Sequence, residues 1–189
     1  MKSNAMRIKA VMAVLGLCLV ATLGFIFVQS ATATTHTIEP FFGDYIGEAT
    51  FTDEGIEYKR DLGVSISKTK KGFRVVWKTT THKPNGGGKT KTYDIDFIPT
   101  KRDNVYSSAM KTNVFGGRTA LDPLEGDPYV WARITDDTLT VFALIVTEEG
   151  GYEMQVYDRT LAPDGLDLKF SRNRNGKNLR LIEARLKRL

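Results

Sequence analysis

Histidine limits what this chain of 189 residues can do chemically, because it has only two, His36 and His82. Zinc sites and most hydrolytic sites need an imidazole beside further ligands or a nucleophile, and neither histidine has such company. His36 lies in a polar stretch ahead of the first strand signal. His82 follows Thr79-Thr80-Thr81, where a strand should end. There is no Gly-x-Ser-x-Gly elbow, and the single cysteine, Cys18, sits inside an apolar run near the N-terminus. Carboxylates are the remaining candidates. Asp122, Glu125 and Asp127 cluster, and Asp94 and Asp96 share one strand face. The cluster lacks the regular ligand spacing of a calcium loop, and Pro123 and Pro128 stiffen it. Two carboxylates could divide the acid and base roles of sugar hydrolysis, but a β-rich chain with 22 acidic residues supplies such pairs by composition alone. Pro84-Asn85-Gly86-Gly87-Gly88-Lys89-Thr90 ends as a phosphate-binding loop does. Lys83 stands where its first glycine belongs, however, and a β-run follows instead of a helix. A mobile connection between two strands accounts for these glycines, whose freedom at positive φ suits a turn. No catalytic group, cofactor or metal is therefore expected.

The N-terminus decides the compartment. Lys2, Arg7 and Lys9 precede Ala10 to Val28, 19 residues without a charge, and Ala31-Thr32-Ala33 then places small side chains at the positions a signal peptidase reads. Residues 1–33 are thus expected to be a signal peptide cleaved after Ala33. An uncleaved N-terminal anchor is the alternative, because the run approaches the roughly 20 residues that span a bilayer. Leu17 before Cys18 argues against lipidation. Either way the basic residues hold the N-terminus inside, so the remainder is exported, periplasmic or secreted in a bacterium. Export removes nucleic acid as a partner. Three of the 27 basic residues belong to the signal, leaving 24 against 22 acidic ones. Seven of those 24, Arg172, Arg174, Lys177, Arg180, Arg185, Lys187 and Arg188, crowd the C-terminus against Glu183 alone. They could meet an anionic envelope surface weakly, or simply solvate a strand edge.

The elements that position these residues are strands. After a flexible stretch over 34–40, β-branched and aromatic residues alternate with polar ones in short runs divided by Gly, Asn and Asp turns. Tyr45, Gly47, Ala49 and Phe51 share one face, and Leu62, Val64 and Ile66 follow. Phe73, Val75, Trp77 and Thr79 come next, then Tyr93, Ile95 and Phe97, with a weaker run from Val105 to Met110. Tyr129 to Ile134, Leu139 to Val146 and Tyr152 to Tyr157 form a meander, and Leu166, Leu168 and Phe170 make another strand. Leu179 to Leu189 fits a strand or a helical stripe, and the hairpin rhythm favours the strand. Nine or ten short strands without a crossover helix predict an antiparallel all-β domain over 41–189. An up-and-down barrel of about 8–10 strands is the first expectation, since closure removes exposed edges. A two-sheet sandwich is second, and spacing does not separate them.

Phe42-Gly43-Asp44-Tyr45-Ile46-Gly47 resembles the opening of the calycin barrels, the lipocalin-like group, where a Gly-x-aromatic step begins the first strand and plugs one barrel end. Tyrosine stands here where tryptophan is commonest. The resemblance implies closure by Gly43 and Tyr45 with a basic residue of the last strand, Arg180 or Arg185, across the plug. It also implies an open mouth leading to an apolar cavity, with Phe51, Val75, Trp77, Tyr93, Tyr129, Trp131 and Met154 as candidate lining. The alternative is that these side chains make a solid core. The expected function is non-catalytic binding of a small apolar or amphipathic ligand by a monomer. A cell-envelope interaction module with a filled barrel and a basic C-terminal surface is the alternative, and a carboxylate-dependent envelope hydrolase comes third. Internal volume separates the first two.

Overall fold

Alternating side chains make strands, and the turn residues decide where each one reverses. The computed structural model describes residues 37–84, 86–108, 111–112, 118–119 and 121–189. The expected signal or anchor over 1–33 and His36 lie outside the described residues. The strands are β1 (Gly43–Asp53), β2 (Ile56–Lys68), β3 (Phe73–His82), β4 (Gly88–Pro99), β5 (Val105–Ser108), β6 (Lys111–Thr112), β7 (Arg118–Thr119), β8 (Tyr129–Thr135), β9 (Thr138–Val146), β10 (Tyr152–Ala162), β11 (Gly165–Arg174) and β12 (Lys177–Arg188). Ten of them close into an antiparallel barrel in the order β1-β12-β11-β10-β9-β8-β5-β4-β3-β2, while β6 and β7 pair only with each other. This is the up-and-down barrel and not the sandwich. The ambiguous C-terminal segment is strand throughout.

Tight turns set the registers. Asn175 and Gly176, with φ of 49° and 79°, make the two-residue reversal between β11 and β12 that Asn-Gly favours. Closure comes from β1 against β12, where Tyr45 pairs with Arg188 and Gly47 with Leu186. A Cβ on Gly47 would lie 2.5 Å from the Arg185 carbonyl oxygen, so this seam needs glycine. Beyond Gly47 the β1–β12 ladder stops.

Because the chain runs up and down, the beginning of β1 lies at the same end of the barrel as the end of β2, the beginning of β3 and the end of β12. That end is solid. Tyr45, Ile66, Phe73, Phe97, Ile134, Leu139, Leu166 and Leu186 are all buried there. Phe73 stacks on Phe97 with ring centroids 5.2 Å apart, and Tyr106 meets Phe73 edge-on at 4.9 Å. Val75, fully buried two residues further along β3, belongs to this packing and not to a cavity wall.

The short 3₁₀ turn Glu39–Phe41 plugs the solid end with Phe41, and Ile38 is buried beside it, so the stretch expected to be free over 34–40 docks from Ile38 onward. The Tyr45 hydroxyl donates to the Phe41 carbonyl at 2.8 Å. The basic residue across the plug is Arg188. Its Nη1 and Nη2 donate to the carbonyls of Phe42 and Pro40 at 2.6 and 2.8 Å, and its guanidinium lies 5.0 Å over the Tyr45 ring. Arg180 and Arg185, expected in that place, are elsewhere. Arg185 falls on the outward parity of β12 and pairs with Asp164 and Asp167. Arg180 faces inward at the opposite end, against Asp53. Gly43 and Tyr45 do stand at the closure, where a Cβ on Gly43 would come within 2.9 Å of Arg188 Nη1.

Candidate ligand cavity

The other end of the barrel is hollow. A cavity of about 440 Å³ opens between the end of β1, the start of β2, the end of β3, the start of β4 and the mouth-side halves of β10, β11 and β12. Its aromatic wall contains Phe51, Tyr58, Trp77, Tyr93, Tyr157 and Phe170. The rings contact one another: Trp77 lies 5.1 Å from Tyr93 and 5.3 Å from Tyr157, and Tyr157 lies 4.7 Å from Phe170. Phe51, Trp77 and Tyr93, picked out in the sequence, are therefore brought together, with Tyr93 partly exposed toward the mouth.

Tyr129, Trp131 and Met154 are not part of it. In β8 the inward set is Val130, Ala132 and Ile134, all buried, which turns Tyr129 and Trp131 outward. Met154 pairs with Leu144, the partner of Tyr129, on the same outer face. There Trp131 stacks on Phe142 at 4.8 Å and meets Tyr129 at 5.7 Å. The aromatic rings pointed to the wrong face here, because Tyr129 and Trp131 share theirs with Arg133 and Thr135, while Val130, Ala132 and Ile134 are apolar throughout.

What the sequence did not reveal is the charge inside. Arg60, Lys89, Lys91, Arg159, Arg172 and Arg180 occupy inward positions around the cavity, and Lys83 sits at its edge, whereas Asp53 is the one carboxylate in the lining among the described residues. Several of these cations are committed. Arg172 makes a bidentate pair with Glu153, both contacts at 2.7 Å, and Arg174 donates to the same carboxylate at 2.9 Å. The Tyr157 hydroxyl donates to Gln155 at 2.9 Å, and Gln155 donates to Glu153 at 2.7 Å, so one polar chain runs along the inner face of β10 toward the mouth. Chiefly through Arg172, these donors hold the Glu153 carboxyl down at about 2. Burial pushes the Tyr157 phenol up to about 12. Arg180 is paired with Asp53 and lies 4.7 Å over Phe51, while Arg60 lies 4.4 Å from that same ring and donates Nε to Thr81 at 3.0 Å. Burial, then the neighbouring Arg180 charge, lowers the Arg60 pKa.

Arg159 is different. It is 1% exposed, and its Nε and Nη1 have no hydrogen-bond partner among the described residues. Trp77 Nε1 is a third buried donor in the same condition. The Arg159 guanidinium lies 5.4 Å from the Trp77 ring and 5.7 Å from the Tyr157 ring. Each such contact offsets about 0.5–2 kcal/mol, against several kcal/mol for taking an ion out of water. Burial lowers its pKa to about 10, opposed by Tyr157 and Asp158, so the side chain is still charged at neutral pH.

The residues first considered for chemistry sit outside this cavity. Asp94 and Asp96 flank Arg74 on the outer face, at 3.4 and 2.6 Å. His82 pairs with Asp61 at 2.7 Å on the surface. Asp122 accepts from the Leu124 amide at 2.9 Å, capping a short 3₁₀ turn. The glycine-rich connection between β3 and β4 stands at the mouth, with Lys83 and Lys89 on either side of it lining the rim. Among the described residues no three of His, Cys, Asp and Glu are grouped to hold a metal. The C-terminal arginines do not form one basic edge: Arg172, Arg174, Arg180, Arg185 and Arg188 each engage a carboxylate or a backbone carbonyl.

No family model matches the chain, and no curated protein matches it in sequence. The functional reading therefore rests on the geometry of the cavity.

Proposed function

We propose that this chain is an exported, non-catalytic barrel of calycin-like form that holds one small apolar or amphipathic ligand in its hollow end. The observation carrying this reading is the cavity of about 440 Å³ walled by contacting aromatic rings. That volume falls within the roughly 300–1,000 Å³ of small-molecule sites. The calycin likeness draws support from the plug, where Tyr45 and a last-strand arginine close one end and leave the other open. Export rests on the order of basic, apolar and small residues over 1–33.

Native mass spectrometry of the protein purified gently from its own host tests the reading. A single small-molecule adduct is expected, on a chain whose mature N-terminus is Thr34. A bare mass, together with no uptake of the uncharged fluorophore N-phenylnaphthylamine, would reject it. The outward stack of Tyr129, Trp131 and Phe142 favours a second reading, a module that contacts other envelope components through the outer face of β8 and β9. In that case Trp131→Ser would release the protein from the envelope fraction, and ligand uptake would be unchanged.

A further inference from the structure

An aromatic pocket built for a purely apolar guest has no use for a buried cation, yet Arg159 faces this one. Its inner neighbours across the sheet are Leu139 on β9 and Leu168 on β11, so it stands where the solid half of the barrel ends and the hollow half begins. Two of its nitrogens lack partners, and the other arginines at inward positions are already engaged: Arg60 with Thr81, Arg172 with Glu153, Arg180 with Asp53. A planar guanidinium with free donors, buried beside two rings, is complementary to the oxygens of a carboxylate or phosphate. Lysines at the rim add a positive field that draws an anion toward the mouth.

We propose that the cavity takes an amphipathic anion, acid end first, with its carboxylate or phosphate oxygens toward the Arg159 guanidinium and its apolar body against Trp77, Tyr157 and the rings above them. This deepens the ligand-binding reading and rests on it.

Two fluorophores sharing one ring system separate the two claims: anilinonaphthalene sulfonate carries an acid group, and N-phenylnaphthylamine lacks it. The wild-type protein is expected to bind the sulfonate about tenfold or more tightly than the uncharged compound, as a charge-assisted hydrogen bond implies. Added salt should leave most of that preference in place, because a buried contact is poorly screened and rim lysines are not. Arg159→Met should bring the sulfonate and N-phenylnaphthylamine affinities of that variant together, and Arg159→Lys should retain part of the preference. Dodecanoate, dodecyl phosphate and dodecanol, each displacing N-phenylnaphthylamine from the unmutated protein, need no variant to fold. Dodecanol should be the weakest, and the order of the other two tells a carboxylate ligand from a phosphate one. Equal displacement by all three, or a sulfonate preference that survives in Arg159→Met, would overturn the inference and leave the cavity reading standing. If neither fluorophore binds, both fall together.

Discussion

A charge that has left water with two of its donors unbonded raises the free energy of the empty barrel, and Arg159 is such a charge. Because it stays protonated well above neutral pH, this cost is constant through the physiological range. Arg159→Met is therefore expected to stabilise the unliganded protein by about 1–3 kcal/mol, seen by calorimetry as a higher melting temperature. A lower one would mean that the arginine holds the fold together. Glu153 behaves in the opposite way. Its folded pKa of about 2 lies below the ordinary 4.5, so its stabilisation is complete above pH 4.5 and is lost as the pH falls toward 2. Urea midpoints measured across that window should fall more steeply for the wild type than for Glu153→Gln, and parallel curves would refute the assignment. Neither residue stood out in the sequence. On β10 the inward set is Glu153, Gln155, Tyr157, Arg159 and Leu161, mostly polar, while apolar Met154 and Val156 face out. Reading apolar as inward selects the wrong face there. Counting back from the Pro163-Asp164 turn, which sets Leu161 opposite Leu166, would have placed Tyr157 and Arg159 inside.

Strands and turns were legible because their signals are local. Asn175-Gly176 and Glu54-Gly55 mark reversals by themselves, and period-two alternation marks extended chain. The phase of a strand is harder to read where large apolar rings stand on the outer face, as Tyr129 and Trp131 do in β8, and register against its neighbours then fixes which side chains enter the barrel. The same limit applies to β12. A basic residue on the last strand was expected across the plug, but parity and pairing select Arg188, opposite Tyr45, from among several arginines. Arg188→Met removes two charge-assisted hydrogen bonds to carbonyls and is expected to cost about 2 kcal/mol in chemical denaturation. Arg185→Met, which touches only exposed aspartates, should leave the midpoint nearly unchanged. Equal losses from the two would contradict closure by Arg188.

The barrel as a whole is asymmetric, filled below and hollow above. Binding to the folded state alone raises apparent stability by mass action, about 2.7 kcal/mol at a hundredfold excess over Kd. Dodecanoate should accordingly raise the melting temperature of the wild type and have a much smaller effect on Arg159→Met. The filled half has a consequence for how such a protein changes over time. Phe73, Phe97, Leu139, Leu166 and Leu186 fill the closed end, so substitutions confined to Tyr58 or Tyr93, which stand outside the packed core, can drift with little penalty. Selection is then free to retune the guest while the chassis stays put.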